Sequence, residues 1–210
     1  EARRDVSVRV QKPTGEWDVL TLRVLPDFEN TNIDVLLPVD GVQVPKKKEA
    51  IFEIKTLEAL GAEVGDTLQI ELADGSDLEL KVAGSAMDRT LGYGAFMGRR
   101  NAYIQEESLD WLHESVYYNK MYITAAENPD DRTHLKELAE EVESYLNRSN
   151  YEVYYVGLAL TNEHPLSSIV EALVGILLIL GVLVMFLSGS LITNTLSALM
   201  GQHLRQIGVM

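Results

Sequence analysis

The stretch ALVGILLILGVLVMFLSGSLI, residues 172–192, decides the fold class of the C-terminal part of this 210-residue chain. No charged side chain occurs anywhere in residues 172–202. The roughly 21 residues of the stretch match the ~20 that a helix needs to cross the hydrocarbon core of a membrane. A helix of a soluble domain would show a polar face, whereas this one is apolar on every side. We therefore predict a transmembrane helix rather than the central helix of a large soluble core.

The start of this helix is marked by its flanking residues. Pro165 is followed by Ser168, which we predict as the N-cap, and Glu171 comes three residues later, at the spacing of a capping box. The helical pattern then continues to about Leu199, so its length is about 45–50 Å at ~1.5 Å per residue. Because this exceeds the membrane core, we expect the helix to protrude from the membrane.

The charges beside the helix predict its orientation. The preceding flank carries Glu163 and Glu171, whereas the following flank carries Arg205 and the titratable His203. Cytoplasmic segments next to membrane helices are enriched in Lys and Arg. We therefore predict that the C-terminus lies in the cytoplasm and that residues 1–164 are extracytoplasmic. We also expect the chain to be a piece of a longer protein, with both ends being cuts.

Most of the first half of the chain predicts strands. Two pairs of segments with alternating apolar residues, 5–10 with 17–25 and 67–72 with 77–82, predict antiparallel hairpins. The second pair is joined by Ala-Asp-Gly-Ser, and Asp-Gly between alternating runs is the strongest short-range hairpin signal. We therefore predict a small β-rich subdomain over about 40–88.

The following part of the chain predicts alternating strands and helices. Residues 101–156 show the succession strand, helix, strand, helix, strand, which is typical of a split βαβ unit. We predict Asn128 as the N-cap of the second helix, with Pro129 at its first position. A strand over residues 151–156 would close the unit.

The predicted fold class is α+β, an extracytoplasmic domain of two subdomains followed by one long transmembrane helix. The predicted boundaries are a core domain over 1–164 (β-rich subdomain about 40–88, α/β subdomain from 1–39 and 89–164), a stalk and transmembrane helix over 165–202, and the start of a cytoplasmic coupling segment over 203–210.

Composition excludes several classes of function. The formal net charge is −14, so the chain would repel phosphate backbones, and we expect no nucleic-acid partner. The absence of cysteine excludes disulfides and thiol catalysis. The four histidines lack metal-ligand spacing, and no phosphate loop or G-x-S-x-G motif occurs. We therefore expect no cofactor, no metal site and no enzyme activity in this chain.

Two features outside these motifs remain open to alternative readings. Arg99 and Arg100 lie in a glycine-rich segment. One reading is that they contact a partner or a substrate anion, and the other is that they belong to a flexible loop without a binding role. Asn194 is an amide within the membrane helix, and such a group is costly in lipid. We expect Asn194 to face other helices or the membrane interface, in this polypeptide or in a second copy.

The sequence LITNTLSALMGQHLRQIGVM, residues 191–210, resembles the FtsX-like permease module of MacB/LolC-type ABC transporters. In that family an Asn of the second transmembrane helix is followed, at matching distance, by a basic residue and then Glu-Ile-Gly or Glu-Ile-Ala. Asn194, Arg205, Ile207 and Gly208 match these places, while Gln206 replaces the usual Glu, which keeps the size and removes the charge.

A second segment strengthens the resemblance. Residues 49–52, EAIF, and 57–68, LEALGAEVGDTL, followed by the Val-Ala-Gly of residues 82–84, are similar to the family's periplasmic core segment. The likeness covers about 45–90 and 165–210, and elsewhere only the order of elements agrees.

The resemblance implies a permease subunit of an ABC transporter in the cell (inner) membrane. Its partners would be an ABC ATP-binding subunit, a second permease copy or homologous permease, membrane lipid, and a periplasmic or extracellular accessory protein. ATP-driven motion would pass along the second helix to the outer domain, a mechanotransmission that exports or releases a substrate. ATPase coupling would involve the cytoplasmic residues Gly201, Arg205, Gln206, Ile207 and Gly208.

Two alternatives to a permease stay open. The chain would otherwise be a single-pass sensor or binding protein whose helix only anchors it, and Arg205 would then be an anchor at the membrane interface. An extracytoplasmic enzyme is the third class, for which no residue constellation is present.

Overall fold

A computed structural model describes residues 1–28, 33, 35–88, 98–160 and 167–207, with the side chains of 167–168 and 201–207 left out of the description. The strands are β1 Ala2–Gln11, β2 Trp17–Leu25, β3 Leu36–Gly41, β4 Glu49–Glu53, β5 Thr67–Glu71, β6 Asp77–Asp88, β7 Arg100–Gln105 and β8 Lys120–Met121. The helices, numbered in chain order, are α1 Ile54–Leu60, α2 Ser108–Trp111, α3 Arg132–Arg148 and α4 Ser167–Ile207.

Six of the strands pair in a closed ring. The order is β1, β2, β7, β4, β6 and β5, and β5 pairs with β1 again. The contacts β2–β7 and β4–β6 are parallel, whereas the other four are antiparallel. β3 and β8 pair with the ring strands β6 and β1. Closure of a sheet satisfies the backbone groups of strands that would otherwise lie at an edge.

The interior of the ring is filled by the apolar residues that alternate along the strands. In β1, Val6, Val8 and Val10 are buried, whereas Ser7 and Arg9 between them are exposed. Successive side chains of a strand point to opposite faces, so one apolar set fills the interior. The other strands and α1 and α2 contribute the rest of this core, which includes Leu20, Leu22, Phe52, Leu57, Leu60, Ile70, Leu80, Val82, Ile104, Leu109 and Leu112.

Turn chemistry explains both predicted hairpins, which are confirmed. β1 and β2 pair from Arg4 opposite Val24 to Gln11 opposite Trp17, and Gly15 has a φ of 88° in the turn between them. β5 and β6 pair on either side of Gly75, whose φ is 84°. Both glycines adopt the left-handed region that other residues rarely enter.

The predicted class is confirmed: the protein is α+β, with a β-rich domain and one long apolar helix at the C-terminus. The chain forms two compact units, Glu1–Ala126, which holds all the described strands, and Glu127–Met210, which holds α3 and α4. Strands from both predicted subdomains pair within the ring, since β1 contacts β5 and β7 contacts β4. The subdomain boundaries at about 40 and 88 stay a prediction.

Two local predictions are wrong. Residues 151–160 form no regular secondary structure, so the predicted strand over 151–156 is absent. Tyr154 and Tyr155 there are 89% and 86% exposed, and an isolated extended segment without a strand partner has no ladder to stabilise it. The helix cap at Asn128 is also wrong: α3 is capped by Asp131, whose carboxylate accepts from the amides of Thr133 at 2.8 Å and His134 at 3.3 Å.

Candidate functional site

The long helix α4 carries most of the residues for which the sequence predicts a role. It runs without interruption from Ser167 to Ile207, 41 residues, or about 60 Å at ~1.5 Å per residue. Within it Ile169–Met200 is long and apolar enough to cross a membrane. The helix begins one residue before Ser168, the predicted N-cap.

The side chains of the apolar part are exposed all round the helix. Leu177, Met185 and Phe186, which point in different directions, are 66%, 75% and 75% exposed. None of the residues in the most apolar window is buried within the described chain. In water such a surface would be strongly unfavourable, so the helix requires lipid or other apolar helices around it.

Two threonine hydroxyls in the second half of α4 are satisfied by the helix itself. Thr193 Oγ1 donates to the carbonyl of Gly189 at 2.8 Å, and Thr195 Oγ1 donates to that of Leu191 at 2.8 Å. Such back-bonding lets hydroxyls reside in apolar surroundings. Asn194 lies between the two threonines and is exposed. A side-chain amide has two N–H donors and a carbonyl acceptor, so a single hydrogen bond back to its own helix does not satisfy all of them.

The predicted coupling residues are brought together at one end of α4. Gly201, Arg205, Gln206 and Ile207 lie in its last two turns, with Gly201 and Arg205 four residues apart and hence on the same side. Gly208 lies outside the described residues. Coupling to an ATPase stays a prediction, as does the contact of Asn194 with other helices.

A buried group of charges on the outer side of the strand ring was missed by sequence reasoning. Asp5 of β1 lies opposite Arg23 of β2, and Arg23 lies opposite Tyr103 of β7. Asp5 Oδ2 accepts a hydrogen bond from Lys120 Nζ and is 3.9 Å from Arg23 Nε. The Tyr103 hydroxyl donates to Asp88 Oδ2 at 2.6 Å. These contacts link five strands on one face.

Electrostatics in this group stabilises its charged state. Burial by itself lowers the pKa of Arg23, but the nearby Asp5, Tyr103, Tyr122 and Asp88 raise it above its ordinary value. The group therefore keeps a buried cation that is surrounded by acceptors. It holds no nucleophile activated by a base, so the arrangement suits structural linkage of strands rather than catalysis.

Strand alternation gave only a weak signal for this group. Asp5 and Arg23 occupy the outward positions of β1 and β2, which alternation assigns to solvent. In the structure that outer face also carries a second apolar cluster formed by Leu25, Ile51, Ala86 and Tyr103, with Phe28 and Leu36 packed against it. A lone Arg in the run Leu20 to Leu25 was the available hint.

Another buried carboxylate organises the start of α1. Glu53 caps the helix by accepting from the amide of Thr56 at 3.0 Å, and the Thr56 hydroxyl in turn accepts from the amide of Asn101 at 2.9 Å. Burial raises the pKa of Glu53, as does the nearby Asp88, while the amides of Thr56 and Lys55 oppose this shift.

No group of three or more potential metal ligands occurs among the residues that the structure describes.

No family model matches the chain, and no curated protein matches it. Among solved structures it is similar to the extracellular domain of the noncanonical ABC-type transporter YknZ from Gram-positive bacteria. The identity is 15%, the TM-score is 0.43, and the match covers 71% of this chain and 74% of that one.

Arg99 and Arg100, the two arginines of the glycine-rich segment, lie in different surroundings. Arg100 is the first residue of β7, and its Nε lies 3.4 Å from Asp18 Oδ2. Because this arginine is 19% exposed and faces a carboxylate of its own domain, it is poorly placed to hold a substrate anion. Arg99 is exposed just before the strand. Residues 89–97 lie outside the described residues.

Proposed function

We propose that this chain is part of the permease subunit of an ABC transporter of the MacB/FtsX type. The observation that carries the proposal is the unbroken helix α4, which runs from Ser167 through the apolar segment to the Arg205 motif. A membrane core of about 30 Å needs about 20 residues. The 41 residues of α4 leave about 30 Å of helix beyond it, which suits a rigid rod better than a simple anchor.

In this proposal the chain itself is non-catalytic. An ATP-binding partner would dock near Gly201, Arg205 and the residues that follow, on the cytoplasmic side. Closure of this ATP-binding partner around ATP would displace the end of α4. The continuous hydrogen-bonded helix would then transmit the displacement to the extracytoplasmic residues 1–164. The ring of strands is suited to receive such a motion as a unit because its strands close on themselves.

A specific observation also favours the simpler alternative of an anchored binding or sensor protein. The hydroxyls of Thr193 and Thr195 already donate hydrogen bonds within α4. Of these two threonines and Asn194, only the amide of Asn194 requires a partner on a neighbouring helix or at the membrane interface. A lone span with one interfacial amide would then be sufficient. The two candidates differ in whether the end of α4 binds an ATPase.

Co-purification with the ATP-binding protein encoded beside this gene would test the proposal. The full-length protein is tagged, and Arg205→Glu is compared with Arg148→Glu, which reverses an exposed arginine in the last turn of α3. We expect Arg205→Glu to abolish recovery of the ATPase and Arg148→Glu to leave it unchanged. Equal recovery with both variants and with the unchanged protein would refute coupling through α4 and favour the anchored binding protein.

A further inference from the structure

The strand β8, Lys120–Met121, lies at an edge of the sheet, where it pairs with β1 alone among the described strands. The ladder continues by one residue, because the amide of Tyr122 donates to the carbonyl of Glu1 at 2.7 Å. In an antiparallel pair the backbone groups of successive residues point alternately to the two sides of the strand. Those of Tyr122 point to β1, so the N–H and C=O groups of Met121 and Ile123 point to the open edge.

The side chains along this edge are apolar and exposed. Met121 is 57% exposed and Ile123 is 50% exposed, and the residues just before β8 add the exposed Val116, Tyr117 and Tyr118. A contiguous apolar group of this kind marks an interaction site. Natural edge strands are commonly protected by charged side chains, whereas Lys120 carries the only charge in residues 115–126.

The charged groups beside β8 neutralise one another within the chain. Each basic side chain of β8 and of the adjoining end of β1 contacts a carboxylate. The pairs are Lys120 with Asp5, Arg3 with Glu1 at 2.8 Å, and Arg4 with Glu114 at 2.5 Å. Arg23, which also lies near Asp5, is buried and is balanced further by Asp88. An acidic or basic partner segment would therefore gain little here, and an uncharged apolar strand fits the edge best.

The end of β8 is itself such a strand. A two-fold axis through Tyr122 places Met121 opposite Ile123 of a second copy, with the two strands antiparallel. The open backbone groups of Met121 and Ile123 then bond reciprocally, and their side chains form apolar cross-strand pairs. No like charges face each other in this register, because Lys120 lies opposite Thr124 of the second copy.

Two properties of the whole chain decide where this pairing is stable. The net charge of −14 opposes association at long range, but at ~0.15 M salt charges more than about 8 Å apart are screened. A ladder this short also buries far less than the roughly 1,200 Å² of a stable interface. Two copies whose α4 helices span one membrane are held side by side, which raises the effective concentration of one β8 for the other.

We propose that β8 pairs with β8 of a second copy of this chain and joins the units Glu1–Ala126 of the two copies through one continuous sheet. The inference rests on the membrane-spanning role of α4 in the proposed function, and it is independent of coupling to an ATPase. Recognition by strand pairing suits this edge, because the backbone supplies the bonds and the apolar side chains supply the register.

The test uses disulfide linkage of the full chain in lipid vesicles, since the chain has no cysteine of its own. Tyr122→Cys should become a linked dimer under mild oxidation, because directly opposite Cβ atoms are about 4.5–5.5 Å apart. Thr124→Cys should link poorly to itself but readily to co-expressed Lys120→Cys, and this mixed pair serves as the test if Tyr122→Cys fails to fold. Val19→Cys is the control: this residue of β2 is 57% exposed and should stay monomeric.

A backbone variant tests the ladder itself. Ile123→Pro removes an amide that points to the open edge, and it should reduce the linkage of Tyr122→Cys. Linkage of Val19→Cys equal to that of Tyr122→Cys, or of Thr124→Cys to itself equal to that with Lys120→Cys, would overturn the proposal. Retention of the chain in vesicles after alkaline extraction without any linkage would refute the pairing alone. Release of the chain by that extraction would refute the membrane span as well.

Discussion

Replacing Asp5 by asparagine tests whether the buried charges on the outer face of the ring hold the strands together. Asparagine keeps the size of the side chain but removes the charge that Arg23 and Lys120 share. At 3.9 Å and an effective dielectric constant of about 20, the attraction between Asp5 and Arg23 is about 4 kcal/mol. Both side chains are only 9% exposed, so solvent screens the pair weakly.

The net loss in the free energy of unfolding is smaller than this attraction, because folding of the variant buries a neutral amide and no longer has to desolvate a carboxylate ion. Arg23 also keeps its attraction to Asp88. The contact with Lys120 adds little, since that lysine is 43% exposed and exposed pairs contribute about 0–1 kcal/mol. We therefore expect Asp5→Asn to lower the free energy of unfolding by about 3 kcal/mol, the lower end for breaking a buried pair.

The assay is urea unfolding of the full chain in micelles, followed by tryptophan fluorescence. Both tryptophans, Trp17 and Trp111, lie in the unit Glu1–Ala126, so the signal reports on that unit. With a slope of about 1.5 kcal/mol/M, the midpoint should fall by about 2 M. Lys120→Ala serves as the control and should shift it by less than about 0.7 M. Equal shifts for the two variants, or no shift for Asp5→Asn, would refute the reasoning.

Three further predictions concern the same chain. Gly41→Ala should lower the free energy of unfolding by more than about 2 kcal/mol, because φ is 77° and a Cβ would lie 2.4 Å from the Ala83 carbonyl oxygen. Gly15 has a φ of 88° but open space around it, so Gly15→Ala should lower the free energy of unfolding by only about 1 kcal/mol in the same urea assay. The raised pKa of Glu53 means that the folded state holds this proton more tightly, so stability from this group is lost as pH rises from 4.5 through the folded pKa. Glu53→Gln should flatten that part of the pH profile of the urea midpoint, and an unchanged slope would contradict it. Asn194→Leu should weaken helix association by about 0.6 kcal/mol if the amide faces another helix, as measured by energy transfer between labelled copies in micelles; unaltered transfer would place the amide at the interface.

Local chemistry made several elements predictable. The helix α4 follows from an apolar run that no soluble helix of this size would show on every side. The hairpins around Gly15 and Gly75 follow from alternating strands and from turns that require a positive φ. Gly61 likewise ends α1 in the left-handed conformation, with φ 69°.

Cap selection shows where local reasoning is insufficient. Asn128-Pro129 has the composition of a helix start, yet the helix begins after Asp131. Asp131 is also a strong N-cap residue, and its carboxylate reaches two amides of the first turn. Two adequate caps within four residues cannot be ranked by composition alone, because their energies differ by less than the contributions of the surrounding contacts.

The buried charge group could not be derived from strand patterns. Alternation assigns Asp5 and Arg23 to one face, but it does not say whether that face meets water. In the structure Leu25, Ile51 and Tyr103 form a second apolar layer there. Burial of that face depends on strands that are far apart in the chain, since β2 pairs with β7.

The amino-acid sequence by itself determined that α4 is long and apolar enough to cross a membrane, the two hairpins and the absence of cysteine chemistry, because each depends on neighbouring residues and on composition. Only the tertiary structure decided that the six strands close into a ring and that Asp5, Arg23, Tyr103 and Asp88 share a buried face. These features depend on which distant strands pair, and the free energy of such pairing is distributed over many contacts that no local pattern records.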